Sequence, residues 1–121
     1  RGLGDVYKRQ MYNNGDVMTV DLDPSKGMYV HLFNWTEKYG FILMDVKLIT
    51  EPTQLPTEQF IQYKTINQPE TVSKEMIVVI ASESRLDFKT KYTTNEFVKI
   101  SQKLARMGVL IRKISYEIQP E

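Results

Sequence analysis

Cysteine is absent from the 121 residues of this chain. Disulfides and thiolate metal sites are therefore excluded, while the redox compartment stays open, because a protein without thiols can live in any of them. Histidine and tryptophan occur once each, as His31 and Trp35, so chemistry that needs an imidazole rests on a single side chain. No apolar run approaches the roughly 18 residues of a transmembrane helix, and no membrane insertion is expected. Glycine is sparse and scattered; Gly15, Gly27 and Gly40 read as turn residues and not as a phosphate-cradling loop. Charge of one sign is missing too, with a formal net charge of only +1.

What is present is ordinary for one globular domain: 41% hydrophobic and 26% charged residues, enough for a single modest core. The first ten residues stand apart. Asp5-Val6-Tyr7-Lys8-Arg9-Gln10 is what GAT GTG TAT AAG AGA CAG encodes, the end sequence of a transposase-based sequencing adapter. Residues 1–10 are accordingly expected to be a non-native, disordered tail. Residues 11–121 are then one β-rich domain cut from a longer protein. Without Arg1, Lys8, Arg9 and Asp5 the remainder holds 13 cations against 14 anions. Tyr63, Lys64, Lys89, Lys91 and Tyr92 mix aromatics with cations as single-strand binders do, but that balance supports no polyanion-binding surface and no nucleic-acid partner.

The chain is organised around residues 27–35, Gly-Met-Tyr-Val-His-Leu-Phe-Asn-Trp. At the period of a strand, Met28, Val30 and Leu32 point one way and Tyr29, His31, Phe33 and Trp35 the other. A strand apolar on both faces belongs in mid-sheet with a layer on each side. Residues 76–81, Met-Ile-Val-Val-Ile-Ala, have the same character and are its expected central partner.

Around these, residues 17–22 read as a strand. The Asp23-Pro24-Ser25-Lys26-Gly27 turn should fold it back beside residues 28–35. A short turn at residues 36–40 leads into a third strand, 41–48, with Ile42, Met44, Val46 and Leu48 on one face; the three together predict a meander. Residues 50–59 read as a loop, 60–66 as an edge strand and 67–74 as another loop. Residues 82–92 show no clear period, and Leu86 and Phe88 could anchor either a helical turn or a loop on the core. Thr93-Thr94-Asn95-Glu96 fits a capping box, opening a helix over 96–107 with Phe97, Ile100, Leu104 and Met107 on one face. Gly108 is the expected stop. Residues 109–119 close the chain as a strand, with Ile114, Tyr116 and Ile118 inward. The expected fold is mainly β (α+β): an antiparallel β-sandwich or rolled sheet of about six strands, with one C-terminal helix followed by a final strand.

Catalytic signatures are thin, and no catalytic residue, cofactor or metal is assigned. His31, in mid-strand, reads as a core histidine bonded to a neighbour; a small hydrolase built on it would need a serine or acid that spacing does not place. Ser82-Glu83-Ser84 follows a central strand without the glycines of a nucleophile elbow. Asp21 and Asp23, with Asp16 nearby, resemble a piece of a calcium loop, but Pro24 interrupts the spacing and they read as turn residues. The candidate binding surface is the aromatic tip of Trp35, Tyr39 and Phe41, with second-layer core as the competing reading.

The order of features is also familiar. Gly15-Asp16 opens a strand, then comes a Gly-x-Tyr-x-x-Leu-Phe-Asn strand (Gly27, Tyr29, Leu32, Phe33, Asn34), and then the turn residue Gly40. Much later Lys74-Glu75 leads into a buried strand ending Ala81-Ser82. Over roughly residues 13–88 this resembles the bacterial domain of unknown function 4384; where that family usually shows Leu-Phe-Pro-Asn, Met44-Asp45-Val46 stands here. The resemblance implies a β-rich accessory module beside caspase-like peptidases, protein kinases and envelope proteins, with no catalytic residues. It points to a non-catalytic interaction or regulatory module whose partner is a protein or a neighbouring domain of the same chain. The alternative is an extracytoplasmic domain binding glycan or peptide through the Trp35/Tyr39 tip. The two-sided burial of the central strands predicts that Leu32→Ala or Val78→Ala each cost about 2–5 kcal/mol, measured by urea titration; losses near zero for both would remove those strands from the core.

Overall fold

The computed structural model describes residues 11–13, 19–56 and 73–119. Along these the chain forms β1 (Met11–Asn13), β2 (Thr19–Leu22), β3 (Met28–Thr36), β4 (Gly40–Ile49), β5 (Thr53–Pro56), β6 (Ser73–Ser82), β7 (Lys91–Tyr92), the helix α1 (Thr94–Arg106) and β8 (Leu110–Gln119). The fold is mainly β, with one helix among the described residues preceding the last strand. Six strands make one sheet in the order β1-β8-β6-β3-β4-β7, and β2 and β5 make a separate two-stranded sheet. All pairings are antiparallel except that of β1 with β8, which is parallel.

The two strands apolar on both faces lie side by side at the centre, with Leu32 opposite Val79 and Phe33 opposite Val78. Each face of the sheet has its own core. On one, Met28, Val30, Leu32, Ile77, Val79, Ala81, Tyr116 and Ile118 are covered by Val20 and Leu22 of β2. On the other, Phe33, Val78 and Ile80 are covered by Phe97 and Leu104 of α1, with Phe41 and Tyr92 beside them. Fully burying each such side chain contributes roughly 1.5–3 kcal/mol before conformational entropy is subtracted.

The meander expected of the first three strands is not formed. Both edges of β3 are already occupied, by β4 and β6. β2 therefore crosses over the sheet as a second layer and pairs with β5, which lies in the stretch read as loop. Val20 and Leu22 are each about 1% exposed there. The strand expected over 60–66 lies outside the described residues, as do residues 1–10 and Gly15-Asp16.

A second correction concerns β4. Leu32 faces Asp45 but Phe33 faces Leu43, so Met44 is an extra residue, a β-bulge. One inserted residue reverses the alternation beyond it. Ile42 and Met44 lie on the β2 side, whereas Val46 and Leu48 lie on the helix side, where Leu48 is left exposed. The same bulge disturbs an open edge. Past Ile42, β4 has no strand on its outer side among the described residues. There the Asp45 carboxylate accepts the Val46 N–H at 2.8 Å, and Lys47 is exposed. A bulge, a local cap and a lysine all discourage edge-to-edge association.

The capping box forms as its sequence predicts, and the helix begins at Thr94, two residues before the expected start. Thr93 Oγ1 accepts the Glu96 N–H at 3.1 Å and the Glu96 carboxylate accepts the Thr93 N–H at 2.8 Å. That second bond, with Lys89 nearby, holds the Glu96 carboxyl below its usual range. The helical stripe is one residue shorter than expected: Met107 is the C-cap, outside the helix, and its side chain is exposed.

Gly40 and Gly108 both have positive φ, +74° and +82°. They differ in surroundings. A Cβ on Gly40 would sit 2.7 Å from the Tyr92 carbonyl oxygen, whereas one on Gly108 meets nothing within 4 Å. Gly108→Ala should therefore cost about 1–2 kcal/mol, the left-handed penalty alone. Gly40→Ala should cost more, about 2–4 kcal/mol, because β7 must also move. Thermal denaturation of the two variants side by side checks the order.

Candidate functional site

The aromatic tip separates into three different environments. Phe41 is buried and stacks flat on Phe97, ring centroids 3.9 Å apart at 9°. Tyr39 is half-buried in the turn after β3. Its N–H is accepted by Thr36 Oγ1 at 3.1 Å, and the ammonium groups of Lys38 and Lys91 lie 5.2 and 6.0 Å from its ring centre. Trp35, also half-buried, leans on Phe41 (6.3 Å) and donates its indole N–H to Thr94 Oγ1 at 3.1 Å. The indole is thereby fixed to the first turn of α1.

Beside Trp35 lies a groove of about 460 Å³, lined by Trp35, Lys74, Glu75, Met76, Ser115, Tyr116 and Glu117. Its position follows from the register. Trp35 is opposite Met76, Met76 opposite Ser115, and Lys74 opposite Glu117. These side chains share the helix-side face at the end of β3, β6 and β8. The floor is apolar at Trp35 and Met76; Lys74 and Glu117 place opposite charges side by side, and Ser115 adds an exposed hydroxyl. Tyr39 and Phe41 do not line this groove. The size falls within the range of small-ligand sites.

His31 is fully buried. Nδ1 lies 3.0 Å from the Ile80 carbonyl oxygen, and Nε2 accepts the Leu86 N–H at 3.0 Å. A carbonyl only accepts and an amide only donates, so the ring is the neutral tautomer with its proton on Nδ1. Burial lowers its pKa below the usual 6.5, and the positive charge of Arg85 acts in the same direction. Both ring nitrogens are committed to backbone, which is the core histidine the sequence suggested.

Sequence reading missed a buried polar cluster on the opposite face. Asn34, Glu75 and Tyr116 are all nearly inaccessible to solvent. Asn34 Nδ2 donates to Tyr116 Oη at 2.9 Å and to the Met76 carbonyl at 3.2 Å. Tyr116 donates to Glu75 Oε1 at 2.8 Å, and Ser73 Oγ reaches Glu75 Oε2 at 3.4 Å. Burial, reinforced by the adjacent Glu75 carboxylate, pushes the Tyr116 phenol far above its usual range. It therefore stays protonated and keeps donating. Asn34 Oδ1 finds no donor among the described residues. The missed signal was periodicity: Asn34 continues Val30 and Leu32, and Glu75 continues Ile77 and Val79, onto the buried face.

The other candidates resolve into turn chemistry. Ser84 N–H is accepted by Ser82 Oγ at 3.3 Å, and Glu83 pairs with Lys26, which lowers its pKa. Asp21 accepts from Gln54 Nε2 at 2.8 Å across β2 and β5. Among the described residues no group of three or more His, Asp or Glu side chains could hold a metal ion, and no helix is long and apolar enough to cross a membrane.

Removing the Tyr116 hydroxyl strips one acceptor from Asn34 and one donor from Glu75 in a dry environment. Tyr116→Phe should therefore destabilise the domain by about 1–3 kcal/mol, with an unchanged urea m-value showing that the fold is retained. Compared with known proteins, the chain matches no family model, no curated protein and no solved structure.

Proposed function

We propose that the chain is a non-catalytic interaction or regulatory module of a larger bacterial protein, and that it contacts a partner protein or a neighbouring domain through the groove at Trp35. The observation that carries this reading is the groove itself: a rigidly held indole and a methionine set in a sheet face that α1 leaves open, rimmed by Lys74, Glu117 and Ser115. Half-buried aromatic anchors with a polar rim are the usual centre of a contact surface. The single imidazole is engaged at both nitrogens by backbone, which gives a hydrolase reading nothing to use. The sequence resemblance to bacterial domain family 4384 points the same way.

A second reading, an extracytoplasmic domain for glycan or peptide, draws on the same groove. An indole face with one hydroxyl, one ammonium and one carboxylate around it also suits a sugar ring. The two readings separate in one experiment. A photo-crosslinking residue at Ser115, in the longer protein that contains this chain, should capture the partner protein or adjoining domain at that position. The same probe at Lys99 on the exposed side of α1 should not. Equal capture at both positions, or none at Ser115, would sink the first reading; saturable blue-shifting of Trp35 fluorescence by neutral oligosaccharides would support the second.

A further inference from the structure

We propose that His31 is a proton-operated latch for the segment 83–90, which joins β6 to β7: protonation of its Nε2 frees Leu86 and Phe88 from the sheet while β3 and β6 stay paired.

The geometry carries this. The segment has no regular structure. Its start is tied by the Glu83–Lys26 pair, and its end by Leu43 N–H to the Thr90 carbonyl (2.9 Å) and Lys89 N–H to Tyr92 Oη (2.7 Å). Between those ends its middle is held to the sheet by the Leu86 N–H on His31 Nε2 at 3.0 Å, with Phe88 set edge-on against the imidazole (5.2 Å, 82°) and against Phe33 (5.1 Å). A proton on Nε2 would aim one donor at another. The hydrogen bond then becomes a repulsion, and a charged ring is left where burial penalises it.

Among the described residues no carboxylate acts on the ring to balance that charge. Arg85, on the segment itself, is the charged residue that acts on the ring, and it repels the imidazolium. β4 presents Val46 opposite His31, with Asp45 and Lys47 alternating onto the other face. β6 offers the Ile80 carbonyl, which Nδ1–H already uses. On β3 the same-face neighbours are Tyr29 and Phe33. On the segment Glu83 is tied to Lys26 and Asp87 is exposed.

The direction follows from linkage. With the segment closed, the pKa of His31 lies below 6.5; once the segment opens, the ring returns towards 6.5. The open form thus binds more protons, so closure is at full strength above pH 6.5 and is lost progressively as pH falls below it. Where the closed form stays neutral and the open ring returns fully to 6.5, the opening constant scales as 1 + 10^(6.5 − pH), so a rise of roughly tenfold between pH 7.5 and pH 5.5 is the upper bound.

The test is amide hydrogen exchange on the whole chain at those two pH values, expressed as protection factors so that the intrinsic pH dependence is removed. Protection at Leu86 should fall, by up to about tenfold, and at both pH values should remain below that of Leu32 and Val79 in the central strands. A Leu86 amide whose protection does not change overturns the latch. So does one that equals the central strands, because the segment would then open only with the whole sheet. His31→Gln should abolish the pH dependence at Leu86, and its persistence overturns the proposal. Should that variant not fold, the ¹⁵N shifts of His31 in the unaltered protein decide: protonated Nδ1 with bare Nε2 at pH 7.5 is required, and the opposite tautomer overturns it.

Discussion

Everything in this domain hangs on a strand buried on both faces and paired on both edges. β3 hydrogen-bonds to β4 and β6 along its length, while Met28, Val30 and Leu32 face one core and Phe33 the other. A strand so placed leaves no backbone edge for β2, which must go over the sheet. It also requires a cover on each side, and the chain supplies two unlike ones: a two-stranded sheet and a helix. The separate cores follow from that arrangement, since no side chain crosses the sheet to join them.

Polar groups sunk in such a structure have to be satisfied locally, and each core holds one solution. On the helix side His31 bonds two stretches of backbone and ties the β6–β7 segment to the sheet. On the other side Asn34, Tyr116 and Glu75 link β3, β8 and β6 through side chains, with one further bond from Asn34 to the Met76 carbonyl. These differ in kind. The imidazole holds its segment only while one nitrogen is bare, so it can respond to protons. Burial holds the Tyr116 phenol protonated far beyond neutral pH, so it stays a donor there.

The sheet face left open beside Trp35 arises from the same geometry. α1 begins at Thr94, bonded to the indole, and leads to β8, whose first residue pairs with the end of β6 at Ala81. Among the described residues, nothing covers the far corner of β6 and β8, around Met76 and Ser115. Its floor strands β3 and β6 are paired on both sides, while β8 is paired with β1 only over Glu117–Gln119 among the described residues.

Local pattern was sufficient for a good deal. Period-two apolarity on both faces determined that residues 28–35 and 76–81 would be neighbouring central strands, because only a doubly covered position stabilises such a sequence. The Thr93/Glu96 box and Gly108 determined the ends of the helix, because capping involves only residues within a turn of each other. Parity likewise marked Tyr116 and Ile118 as inward. Tertiary structure alone decided that β2 pairs with β5 and not with β3, since this depends on β6 having taken the other edge from more than forty residues away. The bulge at Met44 has no local mark either, and it sends Val46 and Leu48 to the face opposite Ile42. The joining of Asn34, Glu75 and Tyr116, the seating of Leu86 on His31 and the placing of Trp35 on a groove that Tyr39 and Phe41 do not line belong to the same class. Each depends on which segments the assembled sheet brings together, and that is a property of the tertiary structure.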